Sequence, residues 1–152
     1  MNTIFLDIDG VLNNATTEER TPTGFLGIDD SLLEKLSILV KDTNSQLILV
    51  SSWKDFWGPN GTSTDKDGFY IDEKFAKFDL KIADKTIDDW SNRGEGIASY
   101  IKINSIEKFV VLDDEKFSDY KKYDILPHLI KTNSSLGLTD YNIITAKQML
   151  EE

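Results

Sequence analysis

The sequence predicts an α/β fold: one three-layer domain whose central, mostly parallel sheet is covered by helices on both faces. Three observations predict it. The apolar runs Thr3 to Ile8, Gln46 to Ser51 and Lys108 to Leu112 lack polar alternation, as strands buried on both faces do. Segments with helical spacing lie between them, the order expected of a parallel sheet. Each run also ends in residues that carry chemistry: Asp7 and Asp9, then Ser51 and Ser52, then Asp113 and Asp114. In such a sheet these residues share one edge, beyond the carboxyl ends of the strands, where ligands bind.

The elements follow in order. Thr3 to Ile8 is the first strand, and Pro22, Gly24 and Gly27 mark residues 13 to 28 as a loop or small flap. Ser31 and Glu34 have capping-box spacing for a helix whose inner face carries Leu32, Leu33, Leu36, Leu39 and Val40. Gln46 to Ser51 is the second strand. Residues 55 to 90 are long for a connection and read as an insertion over the site. A short helix through Ile71, Phe75 and Phe78 and a short strand at Leu80 to Ala83 are expected within it. Asn92 and Glu95 cap the next helix, with Ile97, Tyr100 and Ile101 inward. Lys108 to Leu112 and Leu129 to Lys131 are further strands. Thr139 caps a terminal helix carrying Ile143, Ile144, Ala146 and Leu150.

The bulk properties set limits. A chain of 152 residues is the size of one domain, residues 1 to 152, and 39% hydrophobic content suffices for a core. Without cysteine there is no disulfide framework, thiol nucleophile or thiolate metal site, and the single histidine, His128, makes no histidine cluster. Met1 to Leu6 reads as a first strand, not a signal peptide, and no stretch approaches the roughly 20 apolar residues of a membrane span. A cytoplasmic protein is the expectation, with no obligate protein partner evident. The net charge of −10 disfavours unaided nucleic-acid binding.

Asp7 and Asp9 project to one side of an extended segment, and Gly10 lets the chain turn sharply after them. Asp113 and Asp114 arrive from another strand end. Two like charges about 4 Å apart repel by about 4 kcal/mol at an effective dielectric of 20. A divalent cation relieves that repulsion, and an all-oxygen donor set favours Mg²⁺.

The segment Asp7-Ile8-Asp9-Gly10-Val11 resembles the first motif of the haloacid dehalogenase (HAD) superfamily, a hydrophobic strand followed by DxDG[TV]. Leu49-Val50-Ser51-Ser52 resembles its second motif and Val110-Val111-Leu112-Asp113-Asp114 its fourth, in the family's order. The Asp-Gly-Val-Leu-Asn opening, Ser-Ser-Trp and Leu-Asp-Asp also resemble a small subgroup associated with RNA-repair proteins. The resemblance implies a Rossmann-like HAD domain with a minimal cap and a phosphatase chemistry.

Carried over by residue, it makes Asp7 the nucleophile that forms an aspartyl-phosphate and Asp9 the general acid and base. It implies Mg²⁺ held by an Asp7 oxygen, the Asp9 backbone carbonyl and Asp113 or Asp114. Ser51, with Ser52 beside it, would donate to a phosphoryl oxygen, and Lys54 is a candidate substrate contact whose preferred reading is a plain surface lysine. The third-motif cation is assigned to Arg93, with Lys85 as competitor. The substrate would be a phosphorylated molecule, with nucleotides or nucleic-acid ends favoured by the RNA-repair likeness and a small metabolite by the acidic charge.

Other candidates have structural readings. Trp53 and Trp57 are expected to pack against the insertion, Trp90 in core or lid, His128 in a loop or at a strand edge. Asn13 and Asn14 shape the turn after the first motif. Phosphoryl transfer to another acceptor would use the same residues as hydrolysis. A DxD glycosyltransferase has no use for Ser51 or the second acidic pair, and an idle binding module has no need of both Asp7 and Asp9.

Overall fold

A computed structural model describes residues 1–89 and 91–151; the expectation for Trp90 lies outside the described residues. Five strands form one parallel sheet: β1 (Asn2–Leu6), β2 (Ser45–Leu49), β3 (Ile82–Lys85), β4 (Phe109–Asp113) and β5 (Leu129–Lys131). Their order is β3-β2-β1-β4-β5. The first strand is thus central, with β2 on one side and β4 on the other. Among the described residues four α-helices accompany the sheet: α1 (Asp30–Thr43), α2 (Lys66–Ala76), α3 (Arg93–Asn104) and α4 (Asp140–Glu151).

Alternation along each strand divides the core into two layers. Ile4 and Leu6, Leu47 and Leu49, and Val110 and Leu112 pack with Leu33 and Leu36 of α1, Phe75 of α2 and Ala146 of α4. Phe5, Ile48 and Val111 point the other way, onto Ile97 of α3 and the fully buried Tyr120 and Ile125. Both faces are covered, which explains why the strands read as continuous apolar runs.

Several boundaries differ from expectation. Helix α1 is capped by Asp29, whose side chain accepts from the Ser31 backbone N–H, so the expected Ser31 cap lies two residues too late. Aspartate at that position is an equally good acceptor for a first-turn donor. The helix closes at Asn44, which takes the left-handed conformation at φ 50°. In α4 Thr139 does cap, accepting from Asn142 N at 3.1 Å. Ile144, expected on its inner face, is 57% exposed while Ala146 and Leu150 are buried.

Residues 55 to 90 build fold as well as surface. The chain enters them through a 3₁₀ turn at Ser52–Asp55, and a second such turn at Pro59–Gly61 leads into α2 and then the edge strand β3, which pairs with β2. Helix α2 anchors the 13 to 28 flap. Buried Asp67 accepts from the hydroxyls of Thr21 and Thr23 and from Thr23 N, and Lys74 pairs with Glu19 and Asp30. Among the described residues no helix is long and apolar enough to cross a membrane.

Moving the α1 cap gives a direct test. Asp29→Ala should lower unfolding free energy by about 1 kcal/mol, and Ser31→Ala should stay within about 0.5 kcal/mol of the parent, measured by urea denaturation.

Candidate active site

Asp7 directly follows β1, and its N–H is held by Leu112 O at 2.9 Å. The chain then turns: Val11 and Leu12 both donate to Ile8 O, and Gly10 takes φ +79°. Asn13 ties the turn together. Its Oδ1 accepts from Gly10 N at 2.9 Å, and its Nδ2 donates to Asp9 Oδ1 at 2.9 Å and Gly27 O at 3.0 Å. Asn13 therefore shapes this turn as expected, and Asn14 orders the next one by accepting from Thr16 N. Gly10 is needed for room as well as for its φ: a Cβ there would lie 2.3 Å from Asp114 Oδ2.

Asp9 is exposed, and Trp53 Nε1 donates to its second oxygen at 3.1 Å. Asp113 and Asp114 sit at the end of β4. Carboxylate oxygens of Asp7, Asp113 and Asp114 lie within 4.8 Å of one another, a group that could hold a metal ion. The two members of the acidic pair differ. Asp113 is fully buried and committed: Oδ1 accepts from Glu115 N at 3.0 Å, and Oδ2 from Arg93 Nη1 at 2.9 Å and the Tyr120 hydroxyl at 2.8 Å. Asp114 is half-buried and faces the cleft alongside Asp7.

Arg93 is the first residue of α3, and its Nη1 also lies 3.5 Å from Asp7 Oδ1. Lys85 is directed elsewhere: its ammonium donates to the carbonyls of Lys54 and Trp57, both at 2.7 Å. The two candidates for the third-motif cation are thereby separated in space.

Burial raises the Asp7 carboxyl well above the ordinary carboxylate range; Asp113 adds to the rise and Arg93 opposes it. Burial raises Asp114 as well, partly offset by a hydrogen bond with Asp7. For Arg93, burial works toward a lower value, but Asp7 and Asp113 override it and raise its pKa. The cluster thus has more negative charge than its one arginine balances. The donor set, carboxylate oxygens with neither nitrogen nor sulfur, fits a hard divalent cation.

These groups open into a cleft of about 400 Å³ that Lys54, Asp88, Asp89, Glu115 and Phe117 help to line. Ser52 lines it and Ser51 does not; Ser51 is 1% exposed, and its hydroxyl oxygen accepts from Trp53 N at 3.2 Å. Lys54 is buried, not a surface lysine, and its ammonium pairs with Asp88 Oδ1 at 2.6 Å. Trp53 and Trp57 are core residues, Trp57 donating to Asp72. His128 stacks on Phe109 at the start of β4, the strand's opposite end from Asp113.

Two of these features had no signal in the sequence. Tyr120 meets Asp113 from a stretch without periodicity, and Asp88 meets Lys54 across 34 residues.

A five-stranded parallel sheet with an acidic cluster after its first and fourth strands is the architecture of a HAD-like domain. A family model described as "HAD domain in Swiss Army Knife RNA repair proteins" matches residues 3–143, and the chain belongs to that family. Among solved structures it is similar to one described as a putative HAD superfamily (subfamily III A) hydrolase from Legionella pneumophila. The TM-score is 0.47 at 12% identity, covering 99% of this chain and 85% of that one. A search of curated proteins finds no match.

The raised Asp7 carboxyl has a thermodynamic consequence. The folded state keeps a proton that the unfolded chain releases, so stability falls as pH climbs from the ordinary value of 3.8 through the raised one. Metal-free Asp7→Asn should therefore melt higher than the parent at pH 7.5, by about 3 °C for roughly 1 kcal/mol of relieved strain. The difference should vanish toward pH 3. Differential scanning fluorimetry across pH, with chelator present, checks both.

Proposed function

We propose that this domain is a Mg²⁺-dependent phosphomonoester hydrolase that works through an aspartyl-phosphate on Asp7. The observation that carries this reading is the meeting of Asp7, Asp113 and Asp114 within 4.8 Å at the carboxyl edge of the sheet, with Arg93 on two of them.

Asp7, Asp114 and the Asp9 backbone carbonyl are the groups that would hold the ion. Asp113 is the weaker choice of direct ligand, because both of its oxygens are already hydrogen-bonded. When bound, Mg²⁺ supplies positive charge against the phosphoryl oxygens and keeps the Asp7 carboxylate ionised.

Asp7 attacks phosphorus, forming a carboxylate–phosphorus bond as the ester oxygen departs with its electron pair. Asp9, exposed at the cleft, gives that oxygen a proton. It then removes a proton from the water that attacks the aspartyl-phosphate, which releases inorganic phosphate and restores Asp7. Arg93 offsets charge on Asp7 and on the equatorial oxygens. Ser52, which lines the cleft, is the hydroxyl available to the phosphoryl group, Ser51 being buried off it, and Lys54 lines the cleft as the candidate substrate contact.

Family membership favours nucleotides or polynucleotide ends as substrate. The acidic cleft lining, which includes Asp88, Asp89 and Glu115, favours a second reading, a small-metabolite phosphatase.

With an aryl phosphate and Mg²⁺, the parent should release phosphate and a chelator should abolish release. Asp7→Asn should lose at least about a thousandfold in kcat with its circular dichroism unchanged. Arg93→Ala should lose about a hundredfold or more and Lys85→Ala less than about threefold; the reverse order would reassign the third-motif cation. Comparing 3′- and 5′-phosphorylated oligonucleotides, mononucleotides and sugar phosphates by kcat/KM decides between the two substrate readings.

A further inference from the structure

We propose that Asp119 is a positioning residue: it seats the start of α3 so that the Arg93 guanidinium bridges Asp7 and Asp113. This rests on the phosphatase reading only for its catalytic consequence.

Helix α3 begins at Arg93 without a cap of its own. Asn92, the expected cap, makes no side-chain bond to the helix backbone, because its amide meets the Glu95 carboxylate at 3.0 Å instead. The first-turn donors are satisfied from a distant loop. Asp119 Oδ1 accepts from Gly94 N at 3.0 Å and Oδ2 from Glu95 N at 2.9 Å. A carboxylate at a helix N-terminus also meets the positive end of the helix dipole. The fit leaves no room to spare, since a Cβ on Gly94 would lie 2.6 Å from Asp119 Oδ1. Only glycine after Arg93 allows this approach.

The same loop holds the two ends of the Arg93 interaction. Phe117 lies under the guanidinium, 4.2 Å from ring centroid to Cζ, an arrangement that favours the cation and restricts its plane. Tyr120, packed on Phe117, donates to the Asp113 oxygen that Arg93 also binds. Residues 117 to 120 therefore grip the cation, the helix that carries it and its acidic partner. An arginine has several rotatable bonds, and a displacement of about 1 Å at a reacting centre costs about a hundredfold in rate. Both carboxylate oxygens of Asp119 bond the first turn of α3, so its direct route to turnover is through Arg93; Phe117 and Tyr120 are the other routes that the test separates.

A double-mutant cycle on aryl-phosphate hydrolysis tests this. Asp119→Ala should lower kcat by about ten- to a hundredfold with KM changed less than about threefold. In an Arg93→Ala background the same change should cost less than about twofold. Asp119→Asn, which keeps one acceptor oxygen, should recover part of the loss, and it serves as the probe if the alanine variant does not fold. Equal losses with and without Arg93, or parental kcat in both Asp119 variants, would overturn the proposal. If the parent itself releases no phosphate, the phosphatase reading fails, and positioning is then read from the Arg93 Nε–H signal by NMR. Faster solvent exchange of that proton in Asp119→Ala supports the clamp, and unchanged exchange refutes it.

Discussion

Three carboxylates gathered at the end of two neighbouring strands, with one arginine against them, are the constraint around which this domain is organised. Burial raises both Asp7 and Asp114, and repulsion from the neighbouring carboxylate of Asp113, about 4 kcal/mol for a pair about 4 Å apart at an effective dielectric of 20, adds to the rise. A cluster that opposes folding persists only if the rest of the structure holds it in place. Much of the surrounding architecture does that. Asp113 is tied at both oxygens, Gly10 opens room for Asp114, and Thr132 fastens the Gly10 carbonyl at 2.7 Å.

The topology makes the gathering possible. Because β1 lies between β2 and β4, the loops after these three strands emerge side by side although their sequences are far apart. The central strand contributes Asp7, its neighbour on one side Ser51 and Ser52, its neighbour on the other Asp113 and Asp114. The remaining cation is delivered by a helix start, and helix starts are adjustable only until capped. The flap and α2 form a separate polar lattice through Asp67, Glu19 and Lys74, joined to the site where Asn13 bonds both Gly27 and Asp9.

The fold was legible wherever one local pattern determined the outcome. Continuous apolar runs marked β1, β2 and β4 because both faces of those strands are buried, and DxDG marked the turn because backbone geometry requires the glycine. Arg93 could be singled out from charge and position, but its separation from Lys85 is a matter of direction, and direction depends on tertiary contacts. The α1 cap was misplaced because Asp29, Asp30 and Ser31 are all competent acceptors and only the chain's path selects among them. Ile144 lies about 100° round the α4 axis from Ile143 and farther still from Ala146 and Leu150, so helical spacing itself places it off the packed face, and it is exposed. Lys54 looked like a surface residue because its partner, Asp88, is 34 positions away.

Charge around the cleft bears on what can enter it. Lys54 and Arg93 are its basic lining residues, and each is already paired with an acid. Under the proposed mechanism, a divalent ion offsets two of the negative charges at the floor, enough to admit one phosphoryl group, while Asp88, Asp89 and Glu115 still line the cleft. A substrate bearing further phosphates near the scissile one would meet that acidic lining, and the −10 charge of the whole chain adds to the repulsion at low salt. A terminal phosphate whose attached chain leads straight out to solvent meets the least opposition. Under the proposed mechanism the electrostatics favour polynucleotide ends presented singly and outward, and a divalent ion held by the cluster would ease the binding of phosphate as well as its reaction.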